Sequence, residues 1–165
     1  MNKKRKLGSL VVSLLIILIM LGLDQWTKWA VVKTVPLHDS ITIIDHFFEI
    51  TYVQNTGAGF SLFAGFDMVF FAVLTVVALG IIIYMYIKSE DERYHWALAL
   101  ICSGAIGNFI DRMTLGYVRD FFSFKIFGYY FPVFNIADIC ITCGFILILV
   151  YMLYDDFKEK KKNGN

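Results

Sequence analysis

Two short stretches share one spacing. Asn108-Phe-Ile-Asp111 closes one long apolar run, and Asn135-Ile-Ala-Asp138 opens another. A third run ends at Asp24, and Asp120 lies between the first two. Ionisable side chains at the mouth of an apolar segment are costly and mark candidate functional sites. On a helix, Asn108, Asp111 and Arg112 fall at i, i+3 and i+4 and share a face, as do Asn135 and Asp138. Zinc peptidase chemistry needs a pattern such as H-E-x-x-H, which His38, His46 and His95 do not supply. Ser61, in Gly-Phe-Ser-Leu-Phe, does not fit a nucleophile turn. A pair of carboxylates remains. Two close carboxylates share one proton, so one draws a proton from water while the other donates to a carbonyl. Spacing does not say which two of the four aspartates form the pair. Simpler roles stand beside this one: Asp111 and Arg112 as a buried ion pair, and Asn135 as a helix N-cap with Asp138 at the third helical position.

Four helices must position these groups. The 165 residues are 58% hydrophobic and 17% aromatic, above the roughly 45–50% apolar content of soluble domains. The apolar runs are Leu7–Leu23, Met68–Ile87, Tyr94–Ile110 and Ile139–Tyr154. With their polar ends included, they predict spans of about 7–24, 67–87, 94–111 and 136–154, near the ~20 residues a bilayer needs. The basic start and apolar run after Met1 resemble a secretory leader, but no A-x-A-like site follows, so this segment is expected to be a retained span. The chain is read as a single membrane domain, 1–165. Of 15 Lys and Arg, ten lie in the two termini and the 88–93 loop and five in the other two loops, which predicts cytoplasmic termini. A net charge of +1 argues against nucleic acid as a partner.

Outer loops are then expected at 25–66 and 112–135. The first holds the β-prone SITIIDHFFEITYVQN, one or two strands, and a glycine-rich turn at NTGAG. The second carries seven Phe or Tyr between Phe121 and Phe131, with Gly128 as a turn. Such aromatics suit a small sheet lying on the bilayer surface. Cys102, Cys140 and Cys143 lie within apolar runs and are read as small helix residues rather than a disulfide or metal set. Ser103 and Gly107 give the third span a small face for close helix packing.

Five motifs in order resemble the lipoprotein signal peptidase (signal peptidase II) family: DQWTK (24–28), QNTGAGFSLF (54–63), GNFIDR (107–112), VRDFF (118–122) and FNIAD (134–138). The resemblance covers nearly the whole chain. It implies an all-α membrane protein, a four-helix bundle with a small extracytoplasmic β-cradle and a short outer helix. It also implies an aspartic endopeptidase of the bacterial cytoplasmic membrane, which removes signal peptides from diacylglyceryl-modified prolipoproteins just before the lipidated cysteine. By motif, Asp120 and Asp138 become the catalytic pair. Asp24, Lys28, Asn55, Gly57, Asn108, Asp111, Arg112 and Asn135 become substrate-binding or supporting residues. No metal or organic cofactor is implied. The expected partners are the lipidated substrate and membrane lipids, with the enzyme a monomer. Three residues depart from the family pattern: Gly59 where Ala is usual, Ile139 where Ser is common, and Arg119 where an apolar residue is expected. A cation at Arg119 is expected to favour the ionised form of Asp120 and offset its desolvation.

Two rival classes use the same residues differently. An ion-coupled transporter predicts carboxylates at several depths, yet the apolar cores of the four runs carry none. A non-enzymatic lipid-binding or assembly protein predicts tolerance of Asp→Asn at Asp120 and Asp138.

Overall fold

The computed structural model describes residues 3–57 and 68–163. The remainder of the first outer loop, with Gly59 and Ser61 of the QNTGAGFSLF motif, lies outside the described residues. Four helices are present among the described residues: α1 Lys3–Thr34, α2 Met68–Lys88, α3 Glu92–Leu115 and α4 Ile136–Asn163. Each is long and apolar enough to cross a membrane. Strands β1 Ser40–Ile44, β2 Phe48–Asn55, β3 Val118–Ile126 and β4 Tyr129–Tyr130 form one antiparallel sheet in the order β1-β2-β3-β4.

The bundle buries small and polar groups and exposes large aliphatic ones. Val69, Val73, Val76, Val77 and Ile81 of α2 all face outward. A helix apolar on every side belongs in hydrocarbon. Helix α3 is the hub and packs on α1, α2 and α4. Its buried face includes Ala97, Leu98, Ile101, Ser103, Gly104 and Gly107. Without a hydrophobic driving force between helices in lipid, such small residues let backbones approach. A Cβ on Gly104 would strike the carbonyl oxygen of Ala137, and one on Gly144 would lie 2.7 Å from that of Ala97. Gly104→Ala is therefore expected to cost about 1–3 kcal/mol through overpacking. The melting temperature in detergent micelles reads this directly, and an unchanged value would mean that α3 and α4 are held less closely.

Asp24 does not end α1. The helix continues to Thr34, because Lys28, one turn on, pairs with Asp24 at 2.9 Å inside the bundle. The extension has a purpose in packing. Val31 and Val35 bury against Tyr52 and Phe121, with Ile136 alongside. This apolar cluster seats the sheet on the end of the bundle. At the opposite end, Ser9 Oγ lies 2.7 Å from His95 Nδ1, and the His95 ring stacks on Tyr86.

The SITIIDHFFEITYVQN segment forms two strands, β1 and β2, joined through His46 in the left-handed region. The β3–β4 turn uses Phe127 and Gly128, both at positive φ, as a type I′ hairpin requires. Helix α3 stops at Gly116, whose φ of 83° admits only a residue tolerant of the left-handed region and whose N–H donates to the Arg112 carbonyl. That stop turns the chain into β3 within reach of the ends of α1 and α4.

Candidate active site

Asp24, Asp111, Asp120 and Asp138 converge at the sheet end of the bundle. α1 supplies Asp24 and Lys28, α3 supplies Asn108 and Asp111, β3 supplies Asp120, β2 supplies Asn55, and the start of α4 supplies Asn135 and Asp138. A shift of register between Ile50 and Val53 sets Val53 opposite Asp120 and Asn55 opposite Val118. This brings the Asn55 amide to the Asp120 carboxylate.

Asn135 joins the two motif aspartates. Its Nδ2 donates to Asp120 Oδ1 at 2.7 Å, and its backbone N–H donates to Asp138 Oδ2 at 3.1 Å. Its Oδ1 accepts from the Asp138 N–H at 3.0 Å. The last two bonds form a reciprocal capping box at the start of α4. The capping role and the bridging role therefore belong to the same side chain. Asp120 Oδ2 accepts from Asn55 Nδ2 at 2.7 Å, and Asp138 Oδ1 accepts from Asn108 Nδ2 at 2.8 Å. Burial, and next the charge of Asp138, push the Asp120 carboxyl up to about 7, against the hydrogen bonds from Asn55 and Asn135.

Behind this pair lies a charged cluster closed to solvent. Lys28, 0% exposed, reaches Asp24 at 2.9 Å, Asn108 Oδ1 at 3.0 Å and Asp111 at 3.4 Å. Asp24 Oδ1 accepts from the Ala137 N–H at 2.9 Å, so α1 holds the first turn of α4. Asn108 Oδ1 also accepts from Asn135 Nδ2 at 3.1 Å, which links the cluster to the pair.

Two expectations are corrected. Asp111 does not pair with Arg112, because neighbours in a helix do not face each other. Asp111 takes Lys28 and Arg119 instead, while the Arg112 guanidinium sits over the Phe71 ring. Arg119 does not pair with Asp120, whose carboxyl stays raised all the same. Successive residues of a strand point to opposite faces, and the Arg119 guanidinium is bound to Asp111 at 2.6 Å and 3.1 Å.

Two participants are weakly signalled in the sequence, or not at all. Gln25 donates to Asp24, Gly107 O and Asp111 and accepts from Arg119. A polar side chain beside Asp24 was the only hint. The Ala137 N–H carries no sequence signature at all. Gly57 lies beside the site, its N–H donating to Asn55 Oδ1 at 3.0 Å. The cysteines are free thiols, with Cys140 buried and Cys143 exposed.

A cleft of about 710 Å³ opens over the pair. Asn55, Gly57 and Arg112 line it with Asp120 and Asp138, and it continues along α4 past Ile139, Thr142 and Cys143. A polar head and an apolar flank together suit an extended peptide with an apolar attachment.

The chain is similar to known proteins along nearly its full length. Residues 16–154 match the model of the family described as Signal peptidase (SPase) II. The lipoprotein signal peptidases of Staphylococcus aureus strains JH9 and Newman are each 40% identical over 166 residues, covering 98% of both chains. Two solved bacterial membrane enzyme structures, obtained by the in meso method at 2.3 Å and 1.9 Å resolution, superpose with TM-scores of 0.82 and 0.79 at 40% identity. They cover 88% and 87% of this chain, and 89% and 94% of theirs. Helices, sheet and matched sequence agree on one assignment: the chain belongs to the signal peptidase II family.

Proposed function

We propose that the chain is an aspartic endopeptidase of the bacterial cytoplasmic membrane, with Asp120 and Asp138 as its catalytic pair. Its substrates are diacylglyceryl-modified prolipoproteins, cut just before the lipidated cysteine. The observation that carries this reading is the Asn135 bridge, which holds the buried Asp120 and the half-buried Asp138 at the head of a cleft with an apolar flank. The chain acts as one membrane domain and a monomer, spanning at about 7–24, 67–87, 94–111 and 136–154. Both termini are cytoplasmic, and the sheet rests on the outer surface as a cradle. The weight of Lys and Arg in the termini and the 88–93 loop supports that orientation.

The chemistry follows from the proton the pair shares. At neutral pH one carboxyl is protonated and the other ionised. The ionised group takes a proton from water, whose oxygen attacks the scissile carbonyl. The protonated group donates to the carbonyl oxygen. On collapse a proton passes to the departing amine, and the C–N bond breaks. Asn55, Gly57 and Arg112 face the peptide from the cleft walls. Asp24, Lys28, Asn108, Asp111 and Asn135 hold the pair from behind. The lipid chains stay in the bilayer beside α4, and that anchoring lowers the entropic cost of reaching the pair.

Purified protein is expected to cut a diacylglyceryl prolipoprotein, seen as a gel shift, and to leave the unlipidated precursor intact. No cleavage of the lipidated substrate, together with proton flux in vesicles, would replace this reading with the transporter. The pH profile is a separate expectation. Asp120 near 7 keeps a shared proton up to neutrality, and the pair works only while it holds one. Cleavage by the wild type is therefore expected to fall as pH rises above about 7. Initial rates from pH 5 to 9 in one mixed buffer test this, and a rate still rising at pH 9 would contradict it.

A further inference from the structure

Arg119 makes more contacts than its place beside Asp120 requires. Its N–H and Nε donate to Asp111 Oδ2 at 3.0 and 3.1 Å, and its Nη2 to Asp111 Oδ1 at 2.6 Å. The same Nη2 donates to Gln25 Oε1 at 3.0 Å, and its carbonyl accepts from Asn135 Nδ2 at 3.4 Å. One residue thus ties β3 to α1, α3 and the head of α4. The two-pronged contact is one that guanidinium makes and ammonium does not. It also completes a charge balance. Lys28 and Arg119 stand against Asp24 and Asp111, all buried or nearly so, with Arg119 15% exposed in its side chain. The other titratable or charged groups facing this cluster are Arg112 on α3, Asp138 on α4, Asp120 on β3, Tyr52 on β2, and Tyr117 just before β3.

We propose that Arg119 is a positioning residue for the reaction: it clamps the strand that carries Asp120 onto α1 and α3, and it keeps the charge cluster behind the pair neutral. Without it the strand is freer, and Asp24 and Asp111 together leave one uncompensated negative charge close to the pair. A negative charge disfavours each ionisation of the pair, so both limbs of the pH–rate profile move to higher pH.

The test compares wild type, Arg119→Met and Arg119→Lys on the lipidated substrate, with kcat, KM, pH profile and melting temperature for each. Arg119→Met is expected to lower kcat about tenfold with KM nearly unchanged, and to move both limbs up by about half a unit. Arg119→Lys keeps the charge and loses the fork, so it restores the limbs but not the full kcat. Should Arg119→Met fail to fold, Arg119→Lys still decides, because wild-type kcat in that variant discards the clamp. A lowered melting temperature with wild-type kcat and limbs in Arg119→Met would show a purely structural residue and overturn the proposal. The inference rests on Asp120 and Asp138 as the pair. Asp120→Asn, run alongside, separates the two failures: cleavage there discards the pair, whereas an inactive Asp120→Asn beside a wild-type-like Arg119→Met discards only the role of Arg119.

Discussion

Asp120→Asn and Asp138→Asn are each expected to lower cleavage of a diacylglyceryl prolipoprotein by about a thousandfold or more. Asparagine fills the same volume and its one amide oxygen still accepts from Asn55 or Asn108, at the cost of the second bond, from Asn135, but it cannot carry or release the shared proton. The loss should therefore come without a loss of fold. For Asp120 the effect on stability depends on pH. Its pKa rises from 3.8 in an unperturbed chain to about 7 in the folded protein. Between those values the folded state keeps a proton that the unfolded state releases. Stability from this group thus declines as pH rises through that window, and above about 7 the folded state bears the whole cost of a buried ionised carboxylate. Asparagine never bears it. Asp120→Asn should melt at or above the wild-type temperature at pH 8. An inactive variant with a normal or raised melting temperature identifies chemistry; residual activity within tenfold of wild type would move the catalytic role to Asp111 or Asp24.

The parts of the molecule legible in the sequence are those with a one-dimensional cause. Apolar runs of bilayer length predict helices, and the strands follow from β-branched and aromatic stretches between turn residues. Asp24 shows why the reading stops short. As a lone charge it marks the end of an apolar run, yet Lys28 four residues later cancels that charge in space and α1 continues to Thr34. The i,i+4 spacing puts both side chains on one face of α1, but only packing against α3 shows that the pair is buried and shared with Asp111, and spacing carries none of that. The same limit explains Asp111 and Arg119. They are eight positions apart, on a helix and a strand, and only the Gly116 turn brings them together. Hydrogen bonds from backbone groups, such as Ala137 N–H to Asp24, leave no trace in residue types. Asn135 was legible twice, as a cap and as a companion of Asp138, because the capping box has a fixed spacing. Its bond to Asp120 needed the fold.

Lys28→Met should be among the most damaging substitutions outside the pair. The methionine keeps most of the apolar stem but removes an ammonium that two carboxylates and Asn108 share, in a site with no exposure to solvent. Removing one partner of a buried ion pair leaves an uncompensated charge, which typically costs about 3–5 kcal/mol. Here Arg119 still serves Asp111, so the strain falls on Asp24, whose other oxygen holds the Ala137 N–H one residue before Asp138. Asn108 also loses its strongest donor, and with it the fixed orientation that presents Nδ2 to Asp138. Stability and activity should therefore fall together, in contrast to Asp120→Asn. The explanation is checked by adding Asp24→Asn to Lys28→Met. The amide keeps an oxygen for Ala137 and carries no charge, so the double variant should melt above Lys28→Met alone, with a favourable coupling between the two changes. If the double variant melts as low as the sum of the singles, Lys28 holds the site through its packing and hydrogen bonds, and charge compensation is not what makes a fully buried lysine tolerable at this depth.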